Sequence, residues 1–369
     1  MITKGVDQTS DARNARGNLT LREIRQQPDL WPTTLERVAA AGVRPLLAGR
    51  AAIVCGAGTS AYAALAVACG CANAVAIPTT DLLIHSKEDL ERLVPAFAAH
   101  GVLISLARSG DSPESIGVIV RLQKMFPQVA HLAITCNEHG QLARFPGVTP
   151  IVLDPRTNDR SLAMTSSYSN LILAGLAMEH GDFLSKRLPQ IATALKSTLA
   201  ALETAAQRLA SPLSSRMMVL TSAGLSSLAS EACLKVLEMT AGHTIALPET
   251  FLGVRHGPMS FLRPDSLVLC VLSSDAGIRR YEEDLLKELR QKNLGHLVVV
   301  GPPDCDAALA HEFVPAVAPD IPDYLRPPFE IVFPQLLAYQ LSLASDLNPD
   351  NPSPDGVITR VVPRFQMYE

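Results

Sequence analysis

The chain has 369 residues, of which 47% are hydrophobic, 18% charged and 5% aromatic, so an ample and mostly aliphatic core is available and a disordered chain is excluded. Its net charge of −4 and the lack of any Lys/Arg run exclude a surface that wraps nucleic acid, which needs basic groups to displace counterions. The length exceeds what one core commonly fills, so two domains of ordinary size are expected.

Met1 to Gly17 is polar and carries Lys4, Arg13 and Arg16 without the apolar stretch of a secretory signal. Leu19 to Ala41 then places Leu21, Ile24, Leu30, Leu35 and Val38 among Arg, Glu and Gln, which predicts amphipathic helices interrupted at Pro28 and Pro32 and a helical arm over residues 1–50. From Ala51 the pattern changes to short Val/Ile/Leu runs separated by helix-like stretches, as a parallel sheet with crossover helices requires. Strands are predicted at Ala52 to Cys55, Ala74 to Pro78, Val102 to Leu106, His131 to Thr135 and Thr149 to Leu153, and helices at Ser60 to Ala68, Pro113 to Lys124 and Thr165 to Glu179. The most membrane-like stretch, Ala61 to Pro78, is built of Ala, Gly and Cys and broken by Asn73, too weakly apolar to span a bilayer.

Leu184 to Leu209 carries the Leu/Ala periodicity of a long helix ending at Ser211-Pro212, which bridges a first domain over 51–205 and a second over 206–369. The second half restarts with strands at Arg216 to Thr221, Thr244 to Leu247, Leu267 to Leu272 and His296 to Val300, and helices at Ser226 to Thr240 and Gly277 to Lys292. A last helix, Phe329 to Ser345, precedes an irregular tail from Asn348 to Glu369, which either frays or folds over a site. The seven cysteines are odd in number, lie mostly in apolar runs and include no CxxC pair, so buried reduced thiols and a cytoplasmic protein are expected.

The two halves repeat. Val54-Cys55-Gly56-Ala57-Gly58-Thr59-Ser60 is echoed by Leu220-Thr221-Ser222-Ala223-Gly224-Leu225-Ser226, and Leu106-Ala107-Arg108-Ser109 by Val271-Leu272-Ser273-Ser274, each about 165 positions on. A duplicated strand, Ser-rich turn and helix is a device for gripping phosphate with N–H groups, hydroxyls and a helix N-terminus. Ser109 and Ser112 fall at the mouth of a helix that opens on Pro113, with Arg108 available for a charged bond; capping by Ser112 alone is the plainer alternative. Gly56-Ala57-Gly58 lacks the third glycine and the following acid of a dinucleotide fingerprint.

Glu231, Lys235 and Glu238 have i, i+4, i+7 spacing and share one helix face. On a surface that is a salt-bridged stripe; with Ala232, Cys233, Leu234, Val236 and Leu237 around them, the helix is expected to be buried and the carboxylates tuned for acid–base work. His256, fixed before Gly257-Pro258, is either a proton-trading side chain or a structural turn residue. No histidine has metal-ligand spacing with another His or Cys, so no metal is implied, and no cofactor either.

Taken together, Gly58-Thr59-Ser60, Ser109-Gly110-Asp111-Ser112, Glu231 to Glu238 and His256-Gly257-Pro258 resemble, in order, the motifs of the sugar isomerase (SIS) family in its double-domain form, as in the isomerase half of glucosamine-6-phosphate synthase. Arg22-Glu23-Ile24 with Gln27-Pro28 and Trp31, Thr157 to Ser161 with Ala163 to Ser167, and Asp350 to Ser353 with Thr359 to Val362 are similar to the AgaS branch of tagatose-6-phosphate ketose/aldose isomerases or galactosamine-6-phosphate deaminases. The resemblance implies an α/β fold of two tandem three-layer αβα SIS domains with parallel, flavodoxin-like sheets behind the helical arm. It implies that Gly58, Thr59, Ser60, Ser109 and Ser112 hold a sugar phosphate with help from Arg108, that Glu238 is the base supported by Lys235, and that His256 opens the sugar ring. Thr165, Ser166 and Arg360 are expected to complete the sugar pocket. Where the synthase has a further serine this chain has Ala107, and where it has a tail lysine this chain has Arg360, a poor proton acceptor. The implied partners are a hexose or hexosamine 6-phosphate and a second copy of the chain, in a homodimer with active sites shared between subunits. A non-catalytic phosphosugar sensor and a fructosamine-phosphate deglycase are the other readings.

Overall fold

Runs of four to six apolar residues, buried on both faces, are satisfied by parallel sheets covered with helices on either side. The computed structural model describes residues 16–210, 214–363, 365, 366 and 368; the polar segment before residue 16 and the helix end expected at Ser211-Pro212 lie outside the described residues. In the first half, β1 (Ala52–Cys55), β2 (Ala74–Ala76), β3 (Val102–Ala107), β4 (Ala130–Thr135) and β5 (Val148–Val152) form a parallel sheet in the order β2-β1-β3-β4-β5. In the second, β6 (Arg216–Thr221), β7 (Ile245–Thr250), β8 (Leu267–Val271), β9 (His296–Gly301) and β10 (Glu312–Pro315) are ordered β10-β9-β8-β6-β7. Counted from its own first strand, the second sheet has the order of the first, so the sequence repeat is a repeat of topology. Even the register agrees: Ala52 pairs with Val102, and Met217 with Leu267.

The principal helices are α1 (Asn18–Arg25), α2 (Gln27–Ala41), α3 (Thr59–Gly70), α4 (Pro113–Met125), α5 (Ser166–Leu209), α6 (Ser226–Met239), α7 (Ala276–Gln291) and α8 (Val332–Ala344). One core runs between the sheets through α3, α5, α6 and α8, joining Val54, Val67 and Ile104 of the first half to Val219, Leu228 and Phe333 of the second. Separate cores lie on the outer faces, beneath Val118, Ile119 and Leu122 of α4 and beneath Leu285, Leu286 and Leu289 of α7. The N-terminal helices belong to the middle layer: Trp31 of α2 is fully buried, stacks edge-on against Phe329 at 5.0 Å and donates its indole N–H to Ser169. No described helix is long and apolar enough to cross a membrane.

Particular elements test the sequence reading. Pro32 does not break its helix, because it lies in the second turn of α2, where only one backbone bond is lost. The two helices expected around residues 165–209 are both present within the 44-residue span of α5, divided by a kink at His180, where the backbone departs from helical angles and the ring pairs with the carbonyl of Gly70 at 2.6 Å. The edge strand β10 had no signal beyond Phe313 and Val314.

Gly175 of α5 sets the distance to α3: an added Cβ would lie 2.4 Å from a methyl of Val67. Gly175→Ala should therefore destabilise the protein by about 1–3 kcal/mol through overpacking, outweighing the gain of up to about 1 kcal/mol in helix propensity; denaturant unfolding reads the difference.

Candidate active site

In a parallel sheet of this order the connections leave β1 and β3 in opposite directions, which opens a crevice beyond their carboxyl ends. Both Ser-bearing turns of the first half sit there. Gly58, Thr59 and Ser60 lead from β1 into α3, and Arg108, Ser109 and Ser112 lead from β3 into α4; together with Glu238 and the tail residues Val357 to Pro363 they line a cleft of about 410 Å³. The second turn is made possible by Gly110 at φ 69°, where a side chain would be strained and its Cβ would meet Leu142 at 3.1 Å. Ser112 does not cap α4 with its side chain; its hydroxyl pairs instead with Ser115 at 2.7 Å, and α3 begins on Gly58 with no side-chain cap. Two helix N-termini thus present uncapped N–H groups at one cleft, an arrangement suited to an anion. A cavity of about 490 Å³ at the amino ends of β1 and β2, near Arg50, Asn73 and Glu179, gathers none of these side chains.

The carboxylates come from the other half of the chain. α6 packs against α3 and carries Lys235 inward, where its ammonium has no exposure and donates to Thr59 Oγ1 at 3.0 Å and to Glu238. Glu238 is partly exposed at the cleft, whereas Glu231 is wholly buried, 3.4 Å from Lys235 Nζ. Burial pushes the Glu231 carboxyl up to about 8, against the pull of Lys235. Burial works against the charge of Lys235 too, but the paired Glu238 helps hold its pKa above the ordinary value. The helix is turned the reverse of a surface stripe: Glu231 and Lys235 face inward, Leu234 is half-buried and Leu237 is 50% exposed.

Arg108 lines the cleft, but its guanidinium is spent on backbone carbonyls: those of Ser161, of Leu162 at 2.9 Å and of Arg360 at 2.6 Å. Arg360 returns the contact, donating to Asn158 Oδ1 at 2.7 Å and to the Asp159 carbonyl, so the tail is strapped across the opening. The same loop is held from the N-terminal side, where Glu23 accepts from the Arg160 N–H at 2.6 Å and from Ser161. Asp350 accepts from Thr20 and its carbonyl from Leu162 N–H. Thr165 and Ser166, expected in the sugar pocket, are fully buried below it and are bound to the Asp159 carboxylate, which takes the N–H groups of Thr165, Ser166 and Ser167 at the start of α5. The reading missed Met164, Glu114 and Ser115, all of which line the cleft; for Ser115 the signal was its position one helical turn beyond Ser112.

The duplicated layout of the second half is closed. At the equivalent switch point, the Asp323 carboxylate accepts from Ser273 Oγ and from Ser274 N–H and Oγ at 2.5–2.9 Å, while Arg326 donates to it at 2.8 Å. Asp275 caps α7, and Glu282 accepts from Ser222 and Ser273, with burial raising its carboxyl to about 7. Only the first copy lines the cleft. His256 is exposed, on the turn Gly253–His256 beyond β7, and does not line the cleft of its own chain. Among the described residues no three His, Cys, Asp or Glu side chains gather as they would around a metal ion.

Comparison with known proteins adds relatives along the whole chain. A Shewanella protein (strain ANA-3) named D-galactosamine-6-phosphate deaminase AgaS is 33% identical over 371 residues, covering 95% of this chain and 91% of that one. A Streptomyces coelicolor protein given the same name provisionally is 35% identical over 366 residues, covering 93% of each chain. The solved structure of tagatose-6-phosphate ketose/aldose isomerase from Escherichia coli superposes with a TM-score of 0.81 at 29% identity, covering 93% of this chain and 96% of that one. No family model matches the chain.

Because Arg108 fastens the tail through the Arg360 carbonyl, Arg108→Met should release it. Trypsin cleavage after Arg360 is then expected to speed up by about tenfold or more relative to the wild type, as local opening becomes easier. Intact-mass analysis of the time course checks it.

Proposed function

This chain belongs to the AgaS family, and from that membership and the cleft geometry we propose that it is a sugar-phosphate isomerase and amino-sugar-phosphate deaminase, converting galactosamine 6-phosphate and water into tagatose 6-phosphate and ammonia. The observation that carries the reading is the meeting, in one cleft, of two uncapped helix N-termini with Glu238, a carboxylate paired with a buried ammonium. A phosphate gripped by Ser60, Ser109, Ser112 and the N–H groups around them is the handle that brings the reacting carbons to Glu238.

On this reading Glu238 takes the proton from C2 of the open-chain sugar, and the electrons form a C1–C2 double bond while the C1 oxygen gains a proton. Lys235 and the helix dipoles offset the negative charge that develops on that oxygen. Return of the proton to C1 leaves an imine at C2, and addition of water with loss of ammonia gives the ketose. The arrangement of His256 supports a homodimer with shared sites: it is exposed, its own cleft does not use it, and Leu252, just before its turn, is more than half exposed. In that assembly His256 opens the ring in the partner's cleft. Seven free cysteines support a reducing, cytoplasmic setting.

The test incubates the purified protein with hexosamine and ketohexose 6-phosphates and records both ammonia and the sugar formed. Ammonia with tagatose 6-phosphate from galactosamine 6-phosphate is the expected result; interconversion without ammonia would support a simple isomerase, and inertness to the whole panel a sensor. Glu238→Gln should cut C2 proton exchange by about 10²–10⁴ while leaving phosphosugar binding within a few-fold. For the shared site, mixing inactive Glu238→Gln and His256→Ala chains should restore up to about a quarter of wild-type activity, since half the dimers are mixed and each has one intact site; no recovery after verified subunit exchange counts against it.

A further inference from the structure

We propose that Glu231, which has no access to the cleft, is a positioning residue that stays neutral so that the charge of Lys235 is committed to Glu238. The inference rests on the reading of Glu238 as the base and goes beyond it, by assigning a task to a carboxyl that touches no substrate.

The geometry carries the argument. Lys235 and Glu231 have no exposed side-chain surface, and Glu238 alone of the three reaches the cleft. Two of the ammonium's three protons are committed, to Thr59 and Glu238. Neither oxygen of Glu231 has a hydrogen-bond partner, although Lys235 Nζ lies 3.4 Å away, and the hydroxyl of Tyr168, equally enclosed, has none. An ionised Glu231 would be a buried charge whose nearest cation, Lys235 Nζ at 3.4 Å, is shared with a second carboxylate. With its proton, the cluster holds one cation and one anion, and nothing competes for the ammonium. Burial favours the protonated form, holding it up to about pH 8.

The titratable groups that face Glu231 are few. α6 supplies Lys235 and Glu238, α3 supplies Tyr62, and α5 supplies Tyr168; Arg108 acts on the cluster through Lys235. The other elements against α6 commit their polar groups elsewhere: Arg216 of β6 to the Phe261 carbonyl, Glu249 of β7 to Thr250, Asp323 to Ser273 and Ser274, Glu330 to Arg326 and the N–H groups of Val317 and Ala318, and Tyr339 of α8 lies beside Asp350.

The test compares full-length wild type and Glu231→Gln, which keeps the shape and fixes the neutral state, in two measurements. The first is stability against pH and needs no activity. A carboxyl whose pKa is raised by folding favours the folded state below its unfolded value of 4.5 and loses that contribution as pH rises to about 8. The stability of Glu231→Gln relative to wild type should therefore grow between pH 5 and pH 8.5; a flat difference overturns the neutral assignment, whatever the enzyme does. The second is kcat against pH on the sugar phosphate that the wild type turns over. Wild-type kcat should fall above about pH 8 as the ionised carboxyl draws Lys235 away. Glu231→Gln should keep kcat at pH 7 within about threefold, with KM unchanged and without that fall. A loss of about a hundredfold or more at pH 7 in a folded variant, or an unmoved alkaline limb, overturns the positioning role. Failure of Glu238 as the base is seen separately, as C2 exchange surviving in Glu238→Gln.

Discussion

An ammonium with no exposure must have its charge balanced and its protons used within a few ångströms. Lys235 meets that requirement by reaching out of the second half of the chain to Thr59 at the mouth of α3 in the first, while Glu238 on its own helix supplies the counter-charge. That single bridge fixes how α6 sits on α3, and with it where Glu238 stands relative to Ser60, Ser109 and Ser112. It also explains why Glu231 and Lys235 point inward while Leu237 is left half exposed. An amphipathic helix gains most by burying its leucines; α6 gives up part of that gain to bury an ion pair, which is hard to account for on stability alone.

The two halves are the same structure put to different uses. Their sheets have one order and one register, so each has a crevice beyond the carboxyl ends of its first and third strands. In the first half no side chain caps α3 or α4. In the second, Asp323, Asp275 and Glu282 bring carboxylates to the equivalent donors, so the demand for a negative group is met from within the protein. Duplication of the turns was visible in the sequence, but the filling of one copy was not, because Asp323 lies about fifty residues beyond the serines it binds and nothing local marks the pairing.

What could be read in advance follows from how local each signal is. β1, β3, β4, β6, β8 and β9 were placed to within a residue or two, because strands buried on both faces are continuous apolar runs. β10 was missed because an edge strand needs little apolar character, whereas the division of α5 was legible, because its two apolar-periodic stretches meet at the kink at His180. Gly58, Thr59, Ser60, Ser109 and Ser112 were legible as turns at strand ends, and Lys235 and Glu238 as one helix face. Thr165 and Ser166 were misplaced, since a run of hydroxyls at a helix start has the same composition whether it awaits a ligand or binds a buried carboxylate such as Asp159. Arg108 was expected to face an anion and instead holds carbonyls, a choice set by a tail some 250 residues away.

Those distant partners are why both ends of the chain matter to the cleft. Glu23, Asn158, Asp159, Asp350 and Arg360 come from the N-terminal helix, a mid-chain loop and the tail, and their hydrogen bonds converge on residues 158–162. Arg108 joins that cluster to the turn between β3 and α4, because it lies between Ala107 at the end of β3 and Ser109 in the cleft wall. A lysine there could reach one carbonyl as a point charge; the planar fork of arginine serves Ser161, Leu162 and Arg360 at once. The turn that would grip the phosphate and the tail that covers it are therefore joined through one side chain, so a change in either is felt by the other without passing through the rest of the sheet.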